Sequence, residues 1–345
     1  MTTGFLLGKF LPPHSGHEYL INVARGLCDS LTVLVCSIPA EPIPGAVRYE
    51  AMRQHFGGVN VIHCTDDLPQ APEDDPVNFW PLWKEACLSR LECPPDFVFA
   101  SEPYGARLAQ ELGARFIPID IARTAQPVSG TLIRANPVAH WDKILPEARH
   151  WFLKRIAIVG PESAGKTTLA ESLAAEFQTV YAPEYARGYV DALGPHWTEQ
   201  AFVDIARGQL ASAEALTRRA QRYLFCDTDA LTTTLWSREL LGHVPAEVAT
   251  LAETERYDMT LLCTTSDDWT PNPQRFQPET SARKAFEERL ISELNRLGRP
   301  FVKLTGSWEQ RLSQAISAVN AMDCSDLGRS GAPHRAEPAG VTMAA

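Results

Sequence analysis

Arg155-Ile156-Ala157-Ile158-Val159-Gly160 runs directly into Pro161-Glu162-Ser163-Ala164-Gly165-Lys166-Thr167-Thr168, and this junction decides how the chain is read. An apolar strand-like run ends in GxxxxGK[ST], after which Leu169, Leu173 and Phe177 recur at i, i+4 and i+8 on one helical face. Glycines let a backbone wrap closely round phosphates, and N–H groups at a helix N-terminus supply positive potential. Residues 160–168 are thus expected to hold ATP, with Lys166 neutralising the β/γ-phosphates and the Thr167 hydroxyl completing a Mg²⁺ shell. A glycine turn before a structural helix is the bland alternative. All the constrained positions and the strand–helix context stand against it.

Downstream, strands are expected at 179–182, 223–227, 259–263 and 301–305, and helices at 198–219, 230–241, 281–297 and 308–322. Pro183-Glu184-Tyr185-Ala186-Arg187 follows one strand and Asp227-Thr228-Asp229 another. In an α/β sheet the strand C-terminal ends converge on the ligand. Asp227 is the metal candidate, directly or through water, while Glu184 and Asp229 are candidates for substrate hydroxyls and the general base. Aspartate at a strand–helix junction is also a good N-cap, so Asp229 carries both readings. Residues 265–283, with Asp267, Asp268, Trp269, Arg275 and Arg283, read as a lid over the transferring phosphate or as a solvated loop.

Upstream, strands are expected at 4–10, 31–37, 60–64, 96–100 and 115–119, helices at 16–29, 48–56, 79–91 and 104–112, and a helical connector at 136–153. Strand–helix alternation in both halves implies an α/β protein with parallel sheets flanked by helices. Gly8-Lys9-Phe10-Leu11-Pro12-Pro13-His14-Ser15-Gly16-His17 joins the first strand to the first helix. At a helix N-terminus, imidazoles, backbone N–H groups and the helix dipole together can bind a triphosphate. A metal pair and surface histidines in a Pro-rich turn are the competing readings. Ser129-Gly130-Thr131-Leu132-Ile133-Arg134 follows the last strand of this half, where another helix should start.

A chain of 345 residues is long for one core, and the expected division is 1–150, 151–322 and a non-periodic Gly/Pro/Ser/Ala-rich tail, 323–345, read as disordered. No run of eighteen apolar residues spans a membrane, and the first residues do not read as a signal peptide. The 8 cysteines are scattered with no CxxC, as reduced core thiols of a cytoplasmic protein would be. A net charge of −10 argues against a general nucleic-acid binder, so no meaningful duplex-DNA affinity is expected.

The GxFxPxHxGH and SxTxxR pair resembles the nucleotidylyltransferase superfamily, whose sheet is Rossmann-like. The resemblance implies that both motifs clasp one ATP. His14 and His17 would contact the phosphates and stabilise charge at the α-phosphorus, and Ser129, Thr131 and Arg134 would hold the β/γ-phosphates. Lys9 would assist, with Gly8, Phe10 and Gly16 in the same loop. Nucleotidylyltransferase followed by P-loop kinase resembles the bifunctional NadR-type proteins, nicotinamide-nucleotide adenylyltransferase fused to ribosylnicotinamide kinase. The likeness runs to about Met322 and includes Ser101-Glu102-Pro103, Arg123-Thr124, Glu184-Tyr185, Arg187, Asp227-Thr228-Asp229 and Thr232-Thr233.

That resemblance implies nicotinamide riboside, NMN, ATP and NAD as ligands, Mg²⁺ as cofactor, and neither nucleic acid nor membrane as partner. It leaves room for a homo-oligomer. Lys166, His14, His17, Arg134, Glu184 and Asp229 would be catalytic. Arg123, Glu184, Tyr185, Arg187, Asp229, Trp269 and Arg275 would bind substrate. Trp80 and Trp83 could stack on the nicotinamide or lie in the core. Departures are Asn272-Pro273 in the lid, Pro183 before Glu184, and a chain that starts at the first catalytic strand, with no helix-turn-helix repressor domain ahead of it. The rivals are a coenzyme A fusion (phosphopantetheine adenylyltransferase with dephospho-coenzyme A kinase) and a non-catalytic ATP/NAD sensor.

Overall fold

The computed structural model describes residues 1–265 and 277–322. The chain forms two compact units, Met1–Phe152 and a second that begins at Leu153.

The first unit runs β1 (Thr3–Gly8), α1 (Ser15–Arg25), β2 (Ser30–Cys36), α2 (Gly45–His55), β3 (Asn60–Cys64), α3 (Phe79–Leu88), β4 (Phe97–Ala100), α4 (Tyr104–Leu112), β5 (Arg115–Pro118), α5 (Gly130–Ala135) and α6 (Pro146–Arg149). Its strands are all parallel, in the order β3-β2-β1-β4-β5. Phe5 and Leu6 point to opposite faces of β1, and both are fully buried, so helices cover each side of the sheet. Strand order reverses at β1. Beyond its C-terminal end lies the crevice where an open α/β sheet takes ligands.

The second unit runs β6 (Lys154–Val159), α7 (Lys166–Glu176), β7 (Val180–Ala182), α8 (Tyr185–Leu193), α9 (Glu199–Leu216), β8 (Tyr223–Asp227), α10 (Ala230–Leu241), α11 (Ala246–Thr254), β9 (Met259–Cys263), α12 (Thr280–Arg296), β10 (Phe301–Leu304) and α13 (Trp308–Asn320). Its strands are parallel in the order β10-β9-β6-β8-β7. Ile156 and Ile158 pack with Leu169, Leu173, Phe177 and Phe225 on one face, and Ala157 and Val159 with Leu231, Phe286 and Leu290 on the other.

The α/β class and both parallel sheets agree with the sequence reading. The connector at 136–153 does not: it breaks into a 3₁₀ turn at Trp141–Lys143, the short α6 and a second 3₁₀ turn at His150–Phe152. Pro137 and Pro146 lack the N–H a continuous helix needs, and Pro146 serves as the first residue of α6. Helices α8 and α11 were not anticipated. No residue of α8 is buried and only Val248 and Ala252 of α11 are, so neither displays a long apolar stripe.

Candidate active sites

In the first unit, the loop after β1 and the start of α5 line one cleft. Gly8, Lys9, Phe10, His14, Gly16, His17, Ser129, Thr131 and Arg134 all reach it, together with Trp80, Trp83 and Arg123. His14 is the N-cap of α1: its Nδ1 accepts from the Gly16 N–H at 3.1 Å, and His17 Nδ1 accepts from the His14 N–H at 3.2 Å. The two imidazoles therefore form a reciprocal capping box, with rings stacked 3.7 Å apart. Because each Nδ1 is an acceptor, the network assigns the proton of each neutral ring to Nε2. Burial, then the charge of Arg123, brings His14 down to about 4; burial, then His14 and Arg123, holds His17 well below the usual range. Both rings are neutral N–H donors at pH 7.

The second motif locks onto the first. Ser129 caps α5 by accepting from the Leu132 N–H at 3.1 Å. Arg134 donates to the Leu11 carbonyl and, at 3.2 Å, to Thr131 Oγ1. Gly130 sits so close that a Cβ there would overlap the same Leu11 carbonyl oxygen. Arg123 pairs with Glu102 at 3.1 Å. Trp80 and Trp83 are half-buried in the core cluster under α3 and α4 while also lining the cleft; Trp83 Nε1 donates to the Pro69 carbonyl at 3.0 Å.

Arg48 is a residue the sequence reading missed. Its side chain is fully buried and donates to the carbonyls of Ile43 (3.0 Å), Cys36 (3.2 Å) and Lys9. It also pairs with Glu41, whose other oxygen holds Lys9 Nζ at 3.2 Å. A lone arginine at the start of a helix carries no motif; only the tertiary structure shows that it ties the phosphate loop to the end of β2.

In the second unit, the loop 160–167 turns through Ser163 (φ 59°) and Gly165 (φ 82°). A Cβ on Gly160 would overlap the Cys263 carbonyl of β9. Lys166 Nζ lies on the loop's own carbonyls, 3.1 Å from Gly160 O and 3.0 Å from Pro161 O. Thr167 Oγ1 donates to Asp227 Oδ2 at 2.6 Å, and Asp227 Oδ1, also buried, has no hydrogen-bond partner among the described residues. Burial, then the neighbouring Glu184, pushes the Asp227 carboxyl up to about 6, with Lys166, Thr167 and Arg187 opposing.

A cavity opens beside this loop. Glu162, Ser163, Lys166, Glu184, Arg187, Thr228, Thr232 and Thr233 form its polar end, and Val190, Trp197, Phe202, Trp236 and Leu240 its apolar walls. Glu184 pairs with Arg187 at 2.7 Å. Phe202 and Trp236 come from segments read only as helix, and Trp197 from a residue assigned to no element, so the sequence reading missed all three.

Three residues lie elsewhere than the sequence reading expects. Asp229 is not on the cavity wall: one carboxylate oxygen accepts from the Thr232 N–H (2.8 Å) and Oγ1 (2.7 Å), and the other pairs with Arg299 at 3.1 Å. This fully buried carboxylate is a helix cap with a counter-ion. Tyr185 also stands off the cavity wall, with its ring packed on Gly208 and its N–H donating to Gln209 at 2.8 Å. Arg283 is buried in α12, where it donates to Thr280 Oγ1 at 3.1 Å, and not on a lid. Thr168 is exposed beside the loop. Trp269, Arg275, Asp267, Asp268, Asn272-Pro273 and the tail at 323–345 lie outside the described residues.

Residues 155–311 match the family model described as an AAA domain. Over 343 residues the chain is 27% identical to the trifunctional NAD biosynthesis/regulator protein NadR of Escherichia coli K12, covering 93% of this chain and 83% of that protein. The NadR of Salmonella typhimurium, described in the same words, is 27% identical over 341 residues, with 92% and 83% covered. A crystal structure of NadR in complex with NAD and AMP-PNP superposes with a TM-score of 0.73 at 25% identity, over 92% of this chain and 95% of that one. Likeness in sequence and in fold across nearly the whole chain makes this protein a homologue of NadR.

Proposed function

We propose that the protein makes NAD in two ATP-dependent steps. The second unit, over about residues 151–322, phosphorylates nicotinamide riboside to NMN. The first, over about residues 1–150, transfers an adenylyl group from ATP to NMN and releases pyrophosphate. The observation that carries the reading is the cavity beside the phosphate loop, polar at Lys166 and Glu184 and walled by Trp197, Phe202 and Trp236. Nicotinamide riboside has this polarity: a sugar hydroxyl to be phosphorylated and a flat cationic ring that aromatic faces attract.

With Asp229 committed to Arg299, Glu184 is the carboxylate placed to accept the sugar hydroxyl's proton as its oxygen attacks the γ-phosphorus. Lys166 compensates the charge of the phosphates. The partnerless Asp227 Oδ1 and the Thr167 hydroxyl fit Mg²⁺, which would be held there with phosphate oxygens and water. When bound, the ion neutralises charge on the β/γ-phosphates. In the first unit a phosphate oxygen of NMN attacks the α-phosphorus, and no covalent enzyme intermediate is needed. The neutral Nε2–H groups of His14 and His17 and the Arg134 guanidinium supply positive potential, so catalysis rests on positioning and electrostatics.

Incubation with ATP, Mg²⁺ and nicotinamide riboside should give NMN and then NAD, separated chromatographically. Absence of NMN would overturn the kinase assignment. Failure to convert supplied NMN would overturn the adenylyl assignment, and formation of dephospho-coenzyme A from phosphopantetheine would replace it.

A further inference from the structure

Cys36 and Cys64 end the neighbouring parallel strands β2 and β3 and are register partners. Both side chains lie in the buried layer under α3 and α4 that also holds Cys87, and the Cys36 thiol donates to the Leu34 carbonyl at 3.8 Å. Access differs sharply. Cys36 lines the cleft of the first unit and is 7% exposed, whereas Cys64 and Cys87 are sealed at 1% and 0%. Register neighbours in a sheet have Cα atoms about 4.8 Å apart with side chains on one face, inside the range a disulfide spans.

The neighbouring Cys64 thiol, then burial, holds the Cys36 thiol well above its usual range, and the neighbouring Cys36 thiol brings Cys64 down to about 6. Burial pushes Cys87 up to about 12.

We propose that Cys36 and Cys64 form an oxidation-sensitive dithiol site in the floor of this cleft, which a hydroperoxide converts to a disulfide and which a bound nucleotide shields. Cys36, more accessible than Cys64, gives its proton to solvent and attacks one peroxide oxygen as the thiolate. The O–O bond breaks, and the departing oxygen takes a proton from solvent and leaves as water or an alcohol. Cys36 is then a sulfenic acid. The Cys64 sulfur displaces its hydroxyl, the Cys64 proton leaves with that hydroxyl as a second water, and the S–S bond forms. Two thiols are oxidised and one peroxide is reduced. The Cys36 carbonyl is one of the groups held by Arg48, which also holds Lys9 and Glu41. Drawing Cys36 toward β3 loosens that anchor and misplaces the phosphate loop.

The test treats the full chain with a few equivalents of hydrogen peroxide, caps remaining thiols, and maps peptides by mass. The expected product has lost two hydrogens, joins the Cys36 and Cys64 peptides, reverts with dithiothreitol and forms several-fold more slowly with AMP-PNP present. Cys64→Ala should abolish the cross-link while keeping its melting temperature, and should leave a Cys36 sulfenic acid that dimedone traps. Should alanine unsettle the core, Cys64→Ser carries the same mass test. A different cysteine pair, an intermolecular bond, no two-hydrogen loss, or no slowing by AMP-PNP would each overturn the proposal. The activity arm rests on the adenylyl reading above: the cross-linked form should lose roughly tenfold or more of adenylyl transfer, with phosphorylation unchanged. Unchanged adenylyl transfer in fully cross-linked protein would overturn the coupling to Arg48. Untreated protein that makes no NAD from NMN would overturn the functional reading and leave the mapped disulfide standing.

Discussion

At Asp227 two demands compete. In the proposed reaction the carboxylate must be ionised to hold Mg²⁺, yet burial and Glu184 favour its protonated form, up to about 6. Its folded pKa lies above the unfolded value, so this group's contribution to stability is present at acid pH and fades as pH rises from the 3.8 of an ordinary aspartate toward 6. Phosphorylation should run the other way. At low Mg²⁺, kcat/KM for nicotinamide riboside should climb with pH through about 6, and added Mg²⁺ should move that limb toward acid. Asp227→Asn should lose the limb together with most of the rate. A wild-type profile that stays flat between pH 5 and 7 would remove Asp227 from the metal site. His14 shows the opposite displacement for a base: burial keeps it neutral, so it serves as a neutral donor and takes no proton at working pH.

At the scale of elements, helix N-termini organise both sites. Helix α5 is seated against the loop after β1 with no room for a side chain at Gly130. Gly130→Ala should push the two motifs apart and lower adenylyl transfer by roughly ten- to a hundredfold, with phosphorylation unchanged. Equal activity in a chromatographic NAD assay would show that the seating does not matter. Helix α10 is anchored by Asp229 as its cap, by Glu255 accepting the Ala230 N–H at 3.0 Å, and by Arg299, which pairs with Asp229 and donates to the Glu255 carbonyl at 2.9 Å. Burial, then Asp229, already pushes the Glu255 carboxyl up. Arg299→Met would leave two buried carboxylates without their cation, at a cost of about 3–5 kcal/mol. Carboxyls with raised pKa values stabilise less as pH rises, so the loss in melting temperature should be larger at pH 8 than at pH 6. A loss independent of pH would mean that only packing was removed.

For the whole molecule, each unit has its own motif-bearing loop after its first strand and its own cavity. Lys166→Ala should therefore stop NMN formation and spare conversion of NMN to NAD, while His17→Ala should make NMN accumulate. Each defect should be on the order of 10²–10³ in kcat. A folded variant lacking both activities would contradict two separate sites. The sequence by itself determined the α/β alternation and both strand–loop–helix junctions that carry the motifs, because these depend on residues adjacent along the chain: an apolar strand, a glycine turn and a helix start. For the same reason β3, α4, β8 and α10 fall where periodicity puts them. Only the tertiary structure decided that Asp229 is bound to Arg299, 70 residues away, and that Glu184 is left facing the cavity. It alone buried Arg48 beneath Lys9, set Trp197 and Trp236 on one cavity and brought Cys36 against Cys64. A polar group's role follows from its burial and its partner, and here the partners come from distant segments that no local pattern brings together.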